Sequence, residues 1–183
     1  MNWHLNMKNH VFPFVLTSLT IFQSSQVPAS EAGNGVVNME GVIVERPCAI
    51  DVGDSEQVLT MDAVPVSQIV RDGRGPQKSF TIQLVDCVLQ RLDPDKPDWQ
   101  TFSVTFNGEN DQGYFGLSGD ARGIALAITD EAGNLARPGY VMSPAAIIPD
   151  EMRLRYNVNL VGNLKTLQAG DYQAAIRFTM AYN

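Results

Sequence analysis

The last fifteen residues read AGDYQAAIRFTMAYN, and no other stretch constrains the fold as strongly. After Gly170 and Asp171, one parity carries Tyr172, Ala174, Ile176, Phe178, Met180 and Tyr182. The other carries Gln173, Ala175, Arg177, Thr179 and Ala181. A period of two puts successive side chains on opposite faces of an extended chain, so this run is a strand with one face in a core. Asn183 follows with no turn and no further strand, which leaves open what pairs with this strand.

The same alternation recurs upstream. Phe80, Ile82 and Leu84 share one face of Ser79 to Leu84, and Phe102, Val104 and Phe106 share one face of a run ending in the turn pair Asn107-Gly108. Gly123 to Ile128 is a further run, and Met152 to Val161 sets Leu154, Tyr156, Val158 and Leu160 against Arg153, Arg155, Asn157 and Asn159. Gln57 to Met61 is a shorter candidate, and no helical period stands out after the N-terminal segment. The stretches Arg71 to Pro76 and Asp93 to Asp98 read as loops. Short strands with apolar-in, polar-out alternation make an antiparallel sheet wet on one side, and such a sheet buries its other face against a second one. The expectation is one all-β domain built as a sandwich.

The N-terminus has the layout of a secretory signal: Lys8, the apolar stretch VFPFVLTSLTIF, then small residues. The expected signal is residues 1–29, with cleavage after Ala29 or, alternatively, Ala32. Export removes Lys8 and leaves 12 basic against 20 acidic residues, a net charge of −8. An acidic surface repels phosphate backbones, so nucleic acid is not an expected partner. Both histidines, His4 and His10, leave with the signal, which excludes His-based nucleophilic machinery and His-ligated metals. Cys48 and Cys87 remain, and an isolated pair in an exported chain reads as one disulfide. Closing a loop of about 40 residues stabilises a fold by roughly 4 kcal/mol on chain-entropy grounds.

Other candidate sites weigh less. Asp93, Asp95 and Asp98 resemble part of a calcium loop, but the central glycine is missing and Val104 stands where the closing Glu belongs. The many acidic residues include no pair that the sequence places together for glycoside hydrolysis. Gly116-Leu117-Ser118-Gly119 lacks the Lys-Ser/Thr of a phosphate loop. No cofactor motif is present, and neither a catalytic nor a metal-binding residue is assigned.

One alternating run remains, GVVNMEGVIVERPC from Gly35 to Cys48, with Val37, Met39, Gly41 and Ile43 on one parity. Glycine inside a strand marks a bulge or the close approach of another backbone. Pattern alone is compatible with an ordinary first strand bulged at Gly41. Taken with the rest of the chain, however, the run resembles the pilins of the chaperone–usher pathway, the subunits of type 1 and P fimbriae. The landmarks are Gly41 ahead of Arg46-Pro47-Cys48, and Cys87 closing the strand Gln83-Leu84-Val85-Asp86. Further on come Gly119 to Ile128, the turn Asp130 to Asn134, Gly170 fourteenth from the end and Tyr182 next to last.

The resemblance implies an immunoglobulin-like sandwich that lacks its last strand and is completed in trans by donor-strand complementation. It divides the chain into the signal, a donor-strand extension at 30–47 and a pilin domain at 48–183. It makes Val37, Met39, Gly41 and Ile43 the donor face offered to another subunit. Gly170, Phe178, Met180 and Tyr182 become the edge of the groove that receives first a chaperone strand and then a neighbour's extension. The implied partners are a periplasmic chaperone, an outer-membrane usher and neighbouring subunits, on a route through the periplasm to the cell-surface fimbrium. The function so implied is a structural subunit of an adhesive fimbria. Its alternatives are a minor subunit that terminates or anchors assembly, favoured by stretches such as Ile69 to Lys78 and Arg122 to Met142, and a receptor-binding tip adhesin. The adhesin would need a separate lectin domain that a chain of one domain has no room for.

Overall fold

A computed structural model describes residues 39–183; the expected signal segment and Val37 lie outside the described residues. The chain divides into a unit ending at Val42 and a compact body, Ile43–Asn183. Met39 to Val42 are exposed and in no strand.

The body is built almost wholly of strands. In chain order these are β1 (Ala49–Ile50), β2 (Lys78–Cys87), β3 (Thr101–Asn107), β4 (Asn110–Asp111), β5 (Tyr114–Phe115) and β6 (Ser118–Gly119). There follow β7 (Ile124–Asp130), β8 (Leu135–Ala136), β9 (Ala145–Ala146), β10 (Asp150–Gly162), β11 (Tyr172–Gln173) and β12 (Arg177–Tyr182). One sheet runs β1-β2-β10-β7-β5-β4, with β8 also on β7; the facing sheet is β12-β3-β9, and β11 pairs with β6 apart from both. All of these pairings are antiparallel.

The alternation in the sequence decides which side of each strand is buried. Ile82 and Leu84 of β2, Ile128 of β7 and Val158 of β10 meet Phe102, Val104 and Phe106 of β3 between the sheets. Tyr156 stacks on Phe80 at 5.5 Å and meets the edge of Phe106 at 5.0 Å. Burial pushes the Tyr156 phenol up to about 12, with the Asp130 carboxylate adding to the shift. The Cys48–Cys87 disulfide is formed, joining the segment before β1 to the end of β2, with both residues buried.

Two expectations need correction. Gln57 to Met61 is not a strand: it runs beside β2 without a backbone ladder, held by the Gln57 amide on Thr81 O at 2.6 Å and by Lys78 Nζ on Thr60 O. Side chains thus bridge this segment to β2. The second correction is a helix, α1 (Val66–Asp72), where no helical period was apparent and where Arg71 and Asp72 were expected in a loop. At seven residues it is too short to display a period. Its signals are local: Pro65 before it, and Gly73 after it at φ +72°, whose N–H donates to Ile69 O.

Candidate functional site: an apolar groove beside a free strand edge

β12 lies at the edge of its sheet, paired on one side with β3. Its register on β3 sets Phe178 opposite Phe106, Met180 opposite Val104 and Tyr182 opposite Phe102. Apolar pairs along the ladder hold one edge of β12. Among the described residues its other edge has no strand partner, leaving a row of backbone donors and acceptors unpaired. Phe178, Met180 and Tyr182 are half-buried while Arg177, Thr179 and Ala181 are exposed, as the alternation requires. Burial raises the Tyr182 phenol above its ordinary value, opposed by the Arg46 charge.

Beside this edge the space between the sheets opens into a groove of about 1660 Å³. Its floor is the core itself, including Phe80, Phe106, Leu126, Ile128, Val158 and Leu160. One bank is the segment from Ser55 to Val64, the other the chain from Leu167 to Phe178. Small-molecule pockets usually span about 300–1,000 Å³. This opening is larger, reaches the start of β12 at Arg177 and Phe178, and is floored by side chains of both sheets. An apolar floor beside a free strand edge suits an added strand, which would bury alternate side chains in the floor and hydrogen-bond to β12.

The bank from 167 to 176 is positioned by glycines. β12 does not extend back to Gly170 as one continuous strand; the alternating run breaks at Ala174 to Ile176, and Tyr172–Gln173 pairs instead with Ser118–Gly119. Asp171 O accepts from both Asp120 N and Ala121 N, at 2.8 and 3.0 Å. The chains are so close that a Cβ on Gly170 would lie 2.7 Å from Ala121 N, and one on Gly119 2.3 Å from Asp171 O. Gly119 also sits at φ +121°, where side chains are strained. Gly170 therefore belongs to a seam that holds the bank, several residues before β12 begins. Across the groove, burial raises the Tyr172 phenol and the Asp62 carboxylate on the opposite bank raises it further.

The sequence expectation placed Phe178, Met180 and Tyr182 on the groove edge; the structure puts all three on one face of β12, and of them Phe178 lines the groove. It had passed over the facing bank, Ser55 to Val64, and Ile69 of α1, which is buried and also lines the groove. The alternation at Gln57 to Met61 signals a strand rather than a groove bank, and α1 is too short to show a period. Of the expected donor residues, Met39 and Ile43 are fully exposed and a Cβ on Gly41 would meet nothing within 4 Å.

An immunoglobulin-like sandwich with an open groove beside its last strand defines a class of protein: a sandwich that lacks a strand. No family model matches the chain. It is 32% identical over 151 residues to the PRS fimbrial minor pilin protein of Escherichia coli, covering 81% of this chain and 77% of that one. The PAP fimbrial minor pilin protein of Escherichia coli matches equally, at 32% over 151 residues, with the same coverage. Fimbria A protein of Serratia marcescens is 28% identical over 171 residues, covering 91% of this chain and 94% of that protein. Among solved structures, the P pilus rod subunit PapA superposes with a TM-score of 0.66 at 17% identity, over 75% of this chain and all of that one. The chain belongs to the fimbrial pilin family, the structural subunits of chaperone–usher pili. Its fold is the pilin sandwich that lacks a strand.

Proposed function

We propose that this pilin enters a cell-surface fimbria by donor-strand exchange, giving its own N-terminal run to one neighbour and receiving a strand in its groove. The observation that carries the reading is the unpaired edge of β12 alongside an apolar groove of about 1660 Å³. Val37, Met39, Gly41 and Ile43 are the donor face, and the strand carrying Phe178, Met180 and Tyr182 is the receiving edge. A periplasmic chaperone occupies the groove first, because an exposed apolar groove with a free strand edge would aggregate. An outer-membrane usher and neighbouring subunits follow. The 32% identity to two minor pilins favours a minor subunit over a major one.

Gly41→Arg tests the donor half of the reading. A large side chain forced into a packed site costs about 1–3 kcal/mol or more. Here Gly41 meets nothing within 4 Å, so the chaperone-bound subunit is expected in normal yield and disulfide-bonded. Its addition to the preceding subunit is expected to fail. Low yield with normal addition by the surviving protein would overturn the assignment. A terminating subunit differs in one respect: it would donate its strand and accept none.

A further inference from the structure

We infer that Glu45 latches the root of the N-terminal extension to the loop after β2, and so makes the junction between this subunit and the one it completes short and stiff. The inference rests on the strand-donation reading and concerns the junction rather than the groove. The body begins at Ile43, which is fully exposed, and Val44 is 60% exposed. The next residue is held. Glu45 Oε1 accepts Leu92 N at 2.6 Å, across 47 residues of sequence. Two residues on, Pro47 is buried and its carbonyl accepts Val88 N at 2.7 Å, and Cys48 is fixed by the disulfide. Among the described residues Glu45 is therefore the outermost point at which this segment is fastened to the body.

The loop that holds Glu45 is itself pinned on both sides of Leu92. Before it, the Arg91 guanidinium lies 3.5 Å from the centroid of the Trp99 ring, a cation–π contact that accounts for a buried Arg91 Nε without a hydrogen-bond partner. Trp99 N donates to Leu89 O at 2.8 Å, and the indole meets the Tyr182 ring edge-on at 6.3 Å, at the end of β12. After it, Asp93 accepts Asp95 N on Oδ1 at 3.1 Å and Lys96 N on its carbonyl at 3.2 Å. A carboxylate accepting a backbone N–H makes a charge-assisted bond, stronger than a neutral one. With Ile43 the last donor residue, only Val44 lies free between a strand seated in one body and a latch on the other. Two residues of extended chain reach about 7 Å at most, which leaves the two bodies little room to swing.

Distances between two spin labels in the joined pair test this. One label is on Ala132→Cys, in the exposed turn after β7, and the other is on the preceding subunit whose groove receives the strand. Glu45→Ala frees Val44 to Arg46 in place of Val44 alone. The span of a flexible linker grows as the square root of its length, so the distance distribution is expected to broaden about twofold. Inserting Gly-Ser between Val44 and Glu45 lengthens the free segment equally with the latch in place, and is expected to broaden it as much. Glu45→Gln keeps an acceptor oxygen for Leu92 N and is expected to stay near wild type. A distribution for Glu45→Ala as narrow as wild type, or for Glu45→Gln as broad as Glu45→Ala, would overturn the latch. An insertion that broadens nothing would show that the junction does not set the freedom of the pair, and would overturn it too. The insertion leaves Glu45 intact, so it decides the matter even where Glu45→Ala folds poorly. Failure of the wild-type subunit to join at all would instead overturn strand donation, and the latch's role with it.

Discussion

Gly119→Ala is the substitution for which the structure gives the most complete account of the damage. The new Cβ would lie 2.3 Å from Asp171 O, 3.0 Å from Asp171 C and 3.0 Å from Tyr172 Cα. All three are backbone atoms, so no side chain can swing aside. Restoring ordinary contact requires Asp171 to retreat by roughly 1 Å, which breaks the bonds its carbonyl accepts from Asp120 N and Ala121 N. Two hydrogen bonds contribute about 0.5–1.5 kcal/mol each. A side chain at φ +121° adds about 1–3 kcal/mol of backbone strain. The expected loss is roughly 2–6 kcal/mol, a large part of the ~5–15 kcal/mol that holds a domain together. Gly133→Ala is the matched control: Gly133 is also at positive φ, +84°, but its Cβ would meet nothing within 4 Å, so only a left-handed penalty of about 1–2 kcal/mol applies. Urea unfolding of the peptide-completed subunit, followed by the fluorescence of Trp99, compares the two. Equal midpoints for the two variants would refute the account of the seam.

Three further outcomes are expected. Cys87→Ser removes a bond spanning 39 residues and is expected to cost about 4 kcal/mol, seen as a collapse in the yield of folded subunit. Phe106→Ala, at a side chain 2% exposed and packed against Tyr156 and Phe80, is expected to lose about 3–5 kcal/mol in the same urea assay. Asp111 is held below its usual pKa by a hydrogen bond from Lys165 Nζ, aided by Asn163 Nδ2 and by the Lys165 charge, against the opposing effect of burial. Its folded pKa is depressed, so its contribution is present above the ordinary value of 3.8 and is lost as pH falls through the lower folded value. Wild type should therefore lose stability more steeply than Asp111→Asn as pH drops below 3.8.

The alternating runs alone determined the class of fold and which face of most strands is buried. That follows because a strand's side-chain period is a local property: Phe80, Phe102, Phe106, Val158 and Phe178 are assigned to the core without knowing their neighbours. The disulfide was legible for a similar reason, since an exported chain with two cysteines offers only one pairing. The last strand could be named because β12 carries its pattern to within a residue of Asn183. The facing bank could not. Ser55 to Val64 has the composition of a strand, yet Gln57 and Lys78 fasten it to β2 through side chains, and no local signal separates that from a ladder. α1 was hidden because seven residues show no period and its limits are set by Pro65 and Gly73. The break at Ala174 to Ile176 was hidden too, since the alternation there is unbroken in sequence. What divides the run is the approach of Gly119 and Gly170 to backbone on the other side of the seam, a long-range contact that neither segment announces alone. Periodicity reports which way a side chain points; which backbone lies next to it is decided only when the whole chain packs.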